Sequence, residues 1–323
     1  MRALICHDYS GIEALEFGEL PDPEPTPGSA LVAVEAAAVN FADSLLVSGH
    51  YQMKPETPFA PGSEIAGRVI DTGGIPDLEP GTRVAGFVGF GAMAEKALLP
   101  ASAVLRLADH TTFEEGASIP VAYGTSYHAL VDRAKLEPSE TLLVLGASGG
   151  VGLAATQIGK TIGARVLAAV SSDEKEKVAQ DAGADGVIRY DRIGLRDGIN
   201  ELTGGDGVDV VFDPVGGEVT EQALRSTRWN GRLLVIGFAA GDIPSIPLNL
   251  TLVKGNAILG VFWGRHFMEH PKENAANFEV IMEGIADGTL TPLVQRTFPL
   301  ERSAEAIRWV AERNAIGRVV VKP

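Results

Sequence analysis

A chain of 323 residues, 45% of them apolar, is long enough to bury two substantial cores and is not a disordered protein. Its formal net charge of −15 speaks against a nucleic-acid or anionic-membrane surface, since both need a basic face; a local basic pocket for one phosphate remains compatible with it. The single cysteine, Cys6, excludes an intramolecular disulfide and a cysteine-based metal cluster, and in its apolar, strand-like setting it reads as a buried inert thiol.

The first 120 or so residues are β-rich and punctuated by glycine and proline. Strands are expected over residues 1–6, 30–39, 64–70, 82–87 and 93–99. The PDPEPTPG stretch at 21–28 reads as an extended surface connection. A short helix is expected after Asn40, a good N-cap type, with Gly49 as its stop.

From about residue 120 the pattern changes to alternating strands and helices. The stretch 142–152, LLVLGASGGVG, is an apolar strand followed at once by a glycine-rich turn. Val151, Ala154, Ala155, Ile158 and Ile162 then recur at helical spacing. Strand, tight turn and helix make the opening of a dinucleotide-binding unit. A turn poor in β-carbons lets backbone approach a pyrophosphate, and the helix N-terminus holds the anion. Ala147 stands where the usual G-x-G-x-x-G has its first glycine, and a sharp turn without a ligand is the competing reading.

Further strands are expected over 165–170, 186–190, 208–212, 232–236 and 257–261, each but the last followed by a helical or loop crossover. Six such strands imply a parallel, doubly wound sheet. The strand 257–261 should lie last in that sheet. It is apolar throughout and is a template for pairing with a second copy, unless the C-terminal segment covers it. The remainder, 262–323, offers two helices and the final strand GRVVVKP. It reads as a return to the first domain, giving a discontinuous domain of 1–121 with 262–323 around a nucleotide domain of 122–261. No run is long and apolar enough for a membrane span and no signal-peptide pattern opens the chain, so a cytoplasmic protein is expected.

At the end of the second expected Rossmann strand the chain reads Ser171-Ser172-Asp173, with Lys175 and Lys177 following. An acid at the strand end takes the ribose 2′-hydroxyl of NAD. Here that position holds a serine. Hydroxyls with Lys175 suit a 2′-phosphate instead. The competing reading is a solvated, mixed-charge helix start, which is preferred for Lys177. His266 and His270 share i, i+4 spacing, but Pro271 follows and no third ligand is evident in the sequence, so no metal is expected.

Seven stretches carry a family resemblance: AVNFADSLLVSGHY (38–51), PFAPGSEIAGRV (58–69), PVAYGTSYHAL (120–130), LGASGGVGLAATQIGK (145–160), DGVIRY (185–190), DVVFDPVGG (209–217) and GRVVVKP (317–323). In this order the sequence resembles the medium-chain dehydrogenase/reductase superfamily, in its zinc-free quinone oxidoreductase branch. The resemblance implies an α/β protein, a GroES-like β-rich catalytic domain plus a Rossmann domain, and a homodimer. It implies NADPH as cofactor, with Lys175 and Tyr190 at the 2′-phosphate beside Ser171 and Ser172. Ser148, Gly149, Gly150, Val151 and Gly152 would hold the pyrophosphate. Gly237, Phe238, Ala239, Phe262 and Trp263 would approach the nicotinamide, with a plain core aromatic as the competing reading for Trp263. Where the zinc-containing branch has a cysteine and a histidine, this chain has Asn40 and Ser63, both poor zinc ligands.

Hydride transfer leaves charge on an oxygen that needs a donor. Asn40, Tyr51 and Thr125 are the polar residues the resemblance places at the reaction. Asn40 also reads as a helix cap, and Tyr51 as a packed loop tyrosine. The expected activity is reduction of a quinone or an α,β-unsaturated carbonyl small molecule. The alternatives are reduction of a 2-enoyl thioester and a non-catalytic NADPH-binding role. Leu45, where several quinone reductases carry an aromatic, leaves the acceptor open.

Overall fold

The computed structural model describes all residues, Met1–Pro323. The chain divides into two compact units, Met1–Val121 with Pro292–Pro323, and Ala122–Thr291.

The first unit is built on the strand Ser29–Val39, eleven residues long and buried along most of its length. Antiparallel neighbours flank it: Glu64–Asp71 and Lys96–Pro100 from the N-terminal region, and Arg318–Lys322 from the chain's end. Arg83–Phe87 and Leu105–Arg106 extend the sheet on one side, and Val294–Pro299 pairs in parallel with Arg318–Lys322 on the other. Register shifts between Ser29–Val39 and Glu64–Asp71 mark bulges, the device that lets such a sheet curl. The C-terminal return is not an appendage. Phe298, Leu300, Ile307, Val319 and Val321 form one core with Leu4, Val39 and Met93.

The second unit holds six parallel strands: Thr141–Leu145, Arg165–Val170, Gly186–Arg189, Val208–Asp213, Thr227–Val235 and Ala257–Gly260. Numbered along the chain, their order across the sheet is 3-2-1-4-5-6, so the direction of winding reverses beside Thr141–Leu145. That strand is buried at all five residues, as a central strand covered on both faces must be. The edge position expected for the sixth strand is observed.

One boundary differs from expectation. Residues 262–291 belong to the second unit; the return to the first begins at Pro292. The reason is packing. Trp263 and Phe278 cover Gly124, where a β-carbon would come within 2.7 Å of the indole. Gln157 then clamps Thr291, donating to its carbonyl at 3.0 Å and accepting from its N–H at 3.0 Å.

A second glycine shows how tightly the first unit closes. A β-carbon on Gly67 would lie 1.9 Å from the Ala33 carbonyl oxygen of the neighbouring strand. Gly67→Ala must therefore push the two strands apart, and a loss of about 3 kcal/mol is expected. Chemical denaturation measures it; a variant as stable as the wild type contradicts this close approach.

Candidate functional site

In the first unit the polar centre is a buried network. Glu64 is fully buried on its strand, and its Oε1 accepts from the Arg318 guanidinium and, at 2.8 Å, from Asn40 Nδ2. Its Oε2 accepts from the Val121 N–H at 2.7 Å. Asn40 Oδ1 in turn accepts from Arg318 Nη1 at 2.9 Å, and Nδ2 also reaches Ser63 Oγ at 3.4 Å. The helix Phe41–Val47 starts at Asn40 as expected, where the Asn40 N–H donates to Asp43 Oδ2 at 2.7 Å. The helix-cap position read for Asn40 is thus observed, and its side chain has partners of its own. Both N–H groups of its amide are engaged within the protein, and its side chain positions Glu64 and Arg318.

Burial drives the titration here. It pushes the Asp43 carboxyl up to about 7, with the Asn40 N–H and Arg318 opposing and Glu64 reinforcing. Burial also raises Glu64, against the pull of Arg318. Tyr51 is half-buried and packs on the cluster of Cys6, Leu46, Val47 and Phe59; burial and the Asp43 charge raise its phenol, which is neutral at physiological pH.

In the second unit, all six strands point the same way, so the residues after them gather along one edge of the sheet. After Thr141–Leu145 comes the turn 146–149 and the helix Gly150–Ile162. Gly146 has φ +58°, and a β-carbon on Gly152 would lie 2.3 Å from the Gly146 carbonyl. The N-cap is Gly149 and no side chain caps this helix. Its first N–H groups are available to an anion, and a β-carbon on Gly149 would meet only ordinary contact.

After Arg165–Val170, Ser172 caps the helix Asp173–Asp181, accepting from the Lys175 N–H at 3.3 Å. Asp173 is taken by two guanidiniums, Arg189 and Arg192. Arg189 also binds Glu176 and Asp191. Ser171, Ser172 and Lys175 remain half-exposed beside this lock, and Lys175 enters none of its ion pairs. Tyr190 follows the third strand, its N–H donating to the Val170 carbonyl at 3.2 Å.

Gly237, Phe238 and Ala239 follow Thr227–Val235 and fold back on Asp213 and Pro214. Phe238 lines an apolar cavity of about 150 Å³ with Ile243, Ile246 and Ile258. Phe262 is exposed, whereas Trp263 is a core residue: it is 4% exposed, its indole N–H donates to Asn274 at 3.0 Å, and its ring packs on Phe267 and Phe278. The core reading holds for its side chain. Thr125 is half-buried on the helix Pro120–Tyr127. The residues that sequence reasoning missed are Glu64, Arg318 and Arg189. Arg318 did leave a signal, because a cation next to the apolar run Val319–Val321 needs a partner if it is buried.

The site and fold define the class: a dinucleotide-type α/β unit in one chain with an antiparallel β unit. Residues 26–109 match the alcohol dehydrogenase GroES-like domain and residues 150–279 the zinc-binding dehydrogenase family. Quinone oxidoreductase-like protein 2 of Mus musculus is 36% identical over 99% of this chain and 91% of its own. The human quinone oxidoreductase is 32% identical over 95% of this chain and 92% of its own. The Escherichia coli quinone oxidoreductase complexed with NADPH superposes with a TM-score of 0.92 at 26% identity, each chain covered completely. The Thermus thermophilus quinone oxidoreductase, also known in complex with NADPH, gives 0.84 at 31% identity with the same coverage. The chain belongs to the medium-chain dehydrogenase/reductase superfamily, in its quinone oxidoreductase branch.

The buried carboxyls carry a pH signature. Asp43 has its folded value at about 7 against an ordinary 3.8, so the folded state holds more protons between them. Stability therefore falls as pH rises through that window, by a few kcal/mol at most. Asp43→Asn keeps an acceptor for the Asn40 N–H and removes the ionisation. The fall in melting temperature between about pH 4 and pH 7 should be shallower in this variant; equal slopes count against the assignment.

Proposed function

We propose that this oxidoreductase uses NADPH to reduce a quinone or an α,β-unsaturated carbonyl, and does so without zinc. The observation that carries the cofactor reading is the locked Asp173. An acid free to bind a ribose 2′-hydroxyl would favour NADH, but this one is neutralised by Arg189 and Arg192, leaving Ser171, Ser172 and Lys175 for a 2′-phosphate. The uncapped helix at Gly150 and the bare turn before it suit the pyrophosphate.

When bound, NADPH supplies the hydride. The protein's role is to orient, to exclude water and to provide a proton. Tyr51 is the proposed donor, because its half-buried, neutral phenol holds a proton to give to the developing oxyanion. Thr125 is proposed to orient the nicotinamide half, with Gly237, Ala239 and Phe262 at the same end of the sheet. Asn40 and Ser63 do not fit a zinc ion. They offer an amide and a hydroxyl, and the amide oxygen already faces the Arg318 guanidinium. A quinone or enone is electron-poor and needs less Lewis-acid help than an alcohol.

Steady-state NADPH oxidation against quinones, enones and enoyl thioesters tests the reading. Turnover with a quinone or enone that survives a chelator is expected. Turnover with thioesters alone, or NADPH binding without turnover, sinks it. NADPH should be preferred to NADH, and Lys175→Ala should remove about tenfold or more of the preference, since a charge-assisted contact is worth ~1.5–3 kcal/mol. Equal wild-type affinity for both cofactors counts against Lys175.

We also propose a homodimer joined at Ala257–Gly260. This edge strand carries exposed Ile258, and Leu248, Leu252, Val253 and Phe262 nearby in sequence are exposed as well. Two copies pairing edge to edge would satisfy the open backbone groups of both. Light scattering should give twice the 33.9 kDa chain mass. Ile258→Lys should shift it toward the monomer; a monomeric wild type overturns the proposal.

A further inference from the structure

The second unit contains a cluster that the proposed reaction does not use. His128 and Asp132 lie one turn apart on the segment His128–Arg133, which is wound as a π-helix, a form often found at functional sites. His266 comes from the helix Trp263–Glu269. Along the chain His266 has only His270 for company, and the fold supplies the two ligands that the sequence does not display.

The geometry is close. His128 Nδ1 lies 2.7 Å from Asp132 Oδ2, and His266 Nε2 lies 3.8 Å from the same oxygen. The three donor atoms all fall within 4.8 Å of one another. The His128 and His266 rings stack at 3.9 Å between centroids. The His128 and His266 side chains are only 8% and 10% exposed, whereas Asp132 is 30% exposed. Most telling is His266 Nε2, which is buried and has no hydrogen-bond partner. An orphaned imidazole nitrogen beside a carboxylate is costly unless something else fills the position. Asn277 Nδ2 donates to Asp132 Oδ2 at 2.9 Å, the kind of outer contact that fixes a ligating carboxylate.

We propose that His128, Asp132 and His266 form a binding site for a divalent transition-metal ion, with zinc as its probe. Two imidazoles and a carboxylate are an accepted donor set for such ions. In a tetrahedral zinc site, neighbouring donor atoms are about 3.3 Å apart. The observed 2.7 and 3.8 Å bracket that spacing, so small side-chain rotations seat the ion. As its hydrogen bond to Asp132 is exchanged for coordination, His128 gives up the Nδ1 proton and takes one up at Nε2, so the ligating imidazole stays neutral. The fourth position falls to water, on the side where Asp132 is exposed. The ion would pin the helix Trp263–Glu269 to the π-helical segment.

The test uses full-length protein without a histidine tag, stripped by chelator and titrated with Zn²⁺ or Co²⁺ alone. Saturable binding of one ion per chain, Co²⁺ ligand-field bands and a rise in melting temperature are expected. His266→Gln and Asp132→Asn should each abolish the bands and the thermal shift, and Asn277→Ala should weaken binding by about tenfold. Melts of the stripped variants establish that they fold, and if one does not, the other two decide. No saturable binding to the wild type overturns the proposal. So does binding that all folded variants retain, which would place the ion on other histidines.

Discussion

The first unit depends on one interaction, the buried pair of Glu64 and Arg318. It ties a strand from the N-terminal third of the chain to the last strand of all, and both flank Ser29–Val39. Removing one partner from such a pair leaves an uncompensated buried charge, at a cost of ~3–5 kcal/mol. The desolvation is tolerable because little of the pair is left unsatisfied: Asn40 bridges the two, and the Val121 N–H takes the second carboxylate oxygen. Arg318 Nε alone stays without a partner. This pair fixes Asn40, and through Asn40 the start of the helix that leads toward Tyr51.

The second unit solves a different problem with the same means. A parallel sheet that reverses direction beside its first strand leaves room at its carboxyl edge, and the glycine turn keeps that room open. Charge decides what suits the far end of it. The region around Asp173 is acidic in sequence, yet Arg189 gathers Asp173, Glu176 and Asp191 into one network. The proposed preference for a phosphate-bearing cofactor is therefore a property of the network, with Lys175 as its uncommitted cation.

Much of this is legible in the chain. The six parallel strands and the edge place of the last follow from apolar runs at regular intervals, and the glycine turn from its composition. The short strands Glu16–Glu19 and Leu105–Arg106 escape such a reading, because neither has an apolar pattern; pairing partners alone make them strands. The boundary expected at 262 is misplaced for a related reason. Trp263 looks like a junction residue in the sequence, and its contacts with Gly124, Asn274 and Phe278 assign it to the second core. Asn40 is legible as a helix start, but its partner Arg318 lies at the other end of the chain, where no local pattern displays the contact.

The same limit explains what the site residues have in common. A sequence displays ligands that lie close along the chain, such as His266 and His270, and hides those assembled by folding. Here the visible pair is the less informative one. His270 faces Glu273 at the surface, whereas His266 is buried against His128 and Asp132 with a nitrogen to spare. Asn40 and Ser63 make the converse case: they occupy positions where the resemblance puts metal ligands, and the fold has turned Asn40 to a guanidinium and a carboxylate, with Ser63 beside it. Whether a residue can hold a metal is thus decided by which of its atoms the surrounding fold leaves unpaired. By that criterion the proposed absence of zinc beside Asn40 and the proposed ion site at His128, Asp132 and His266 rest on one and the same argument.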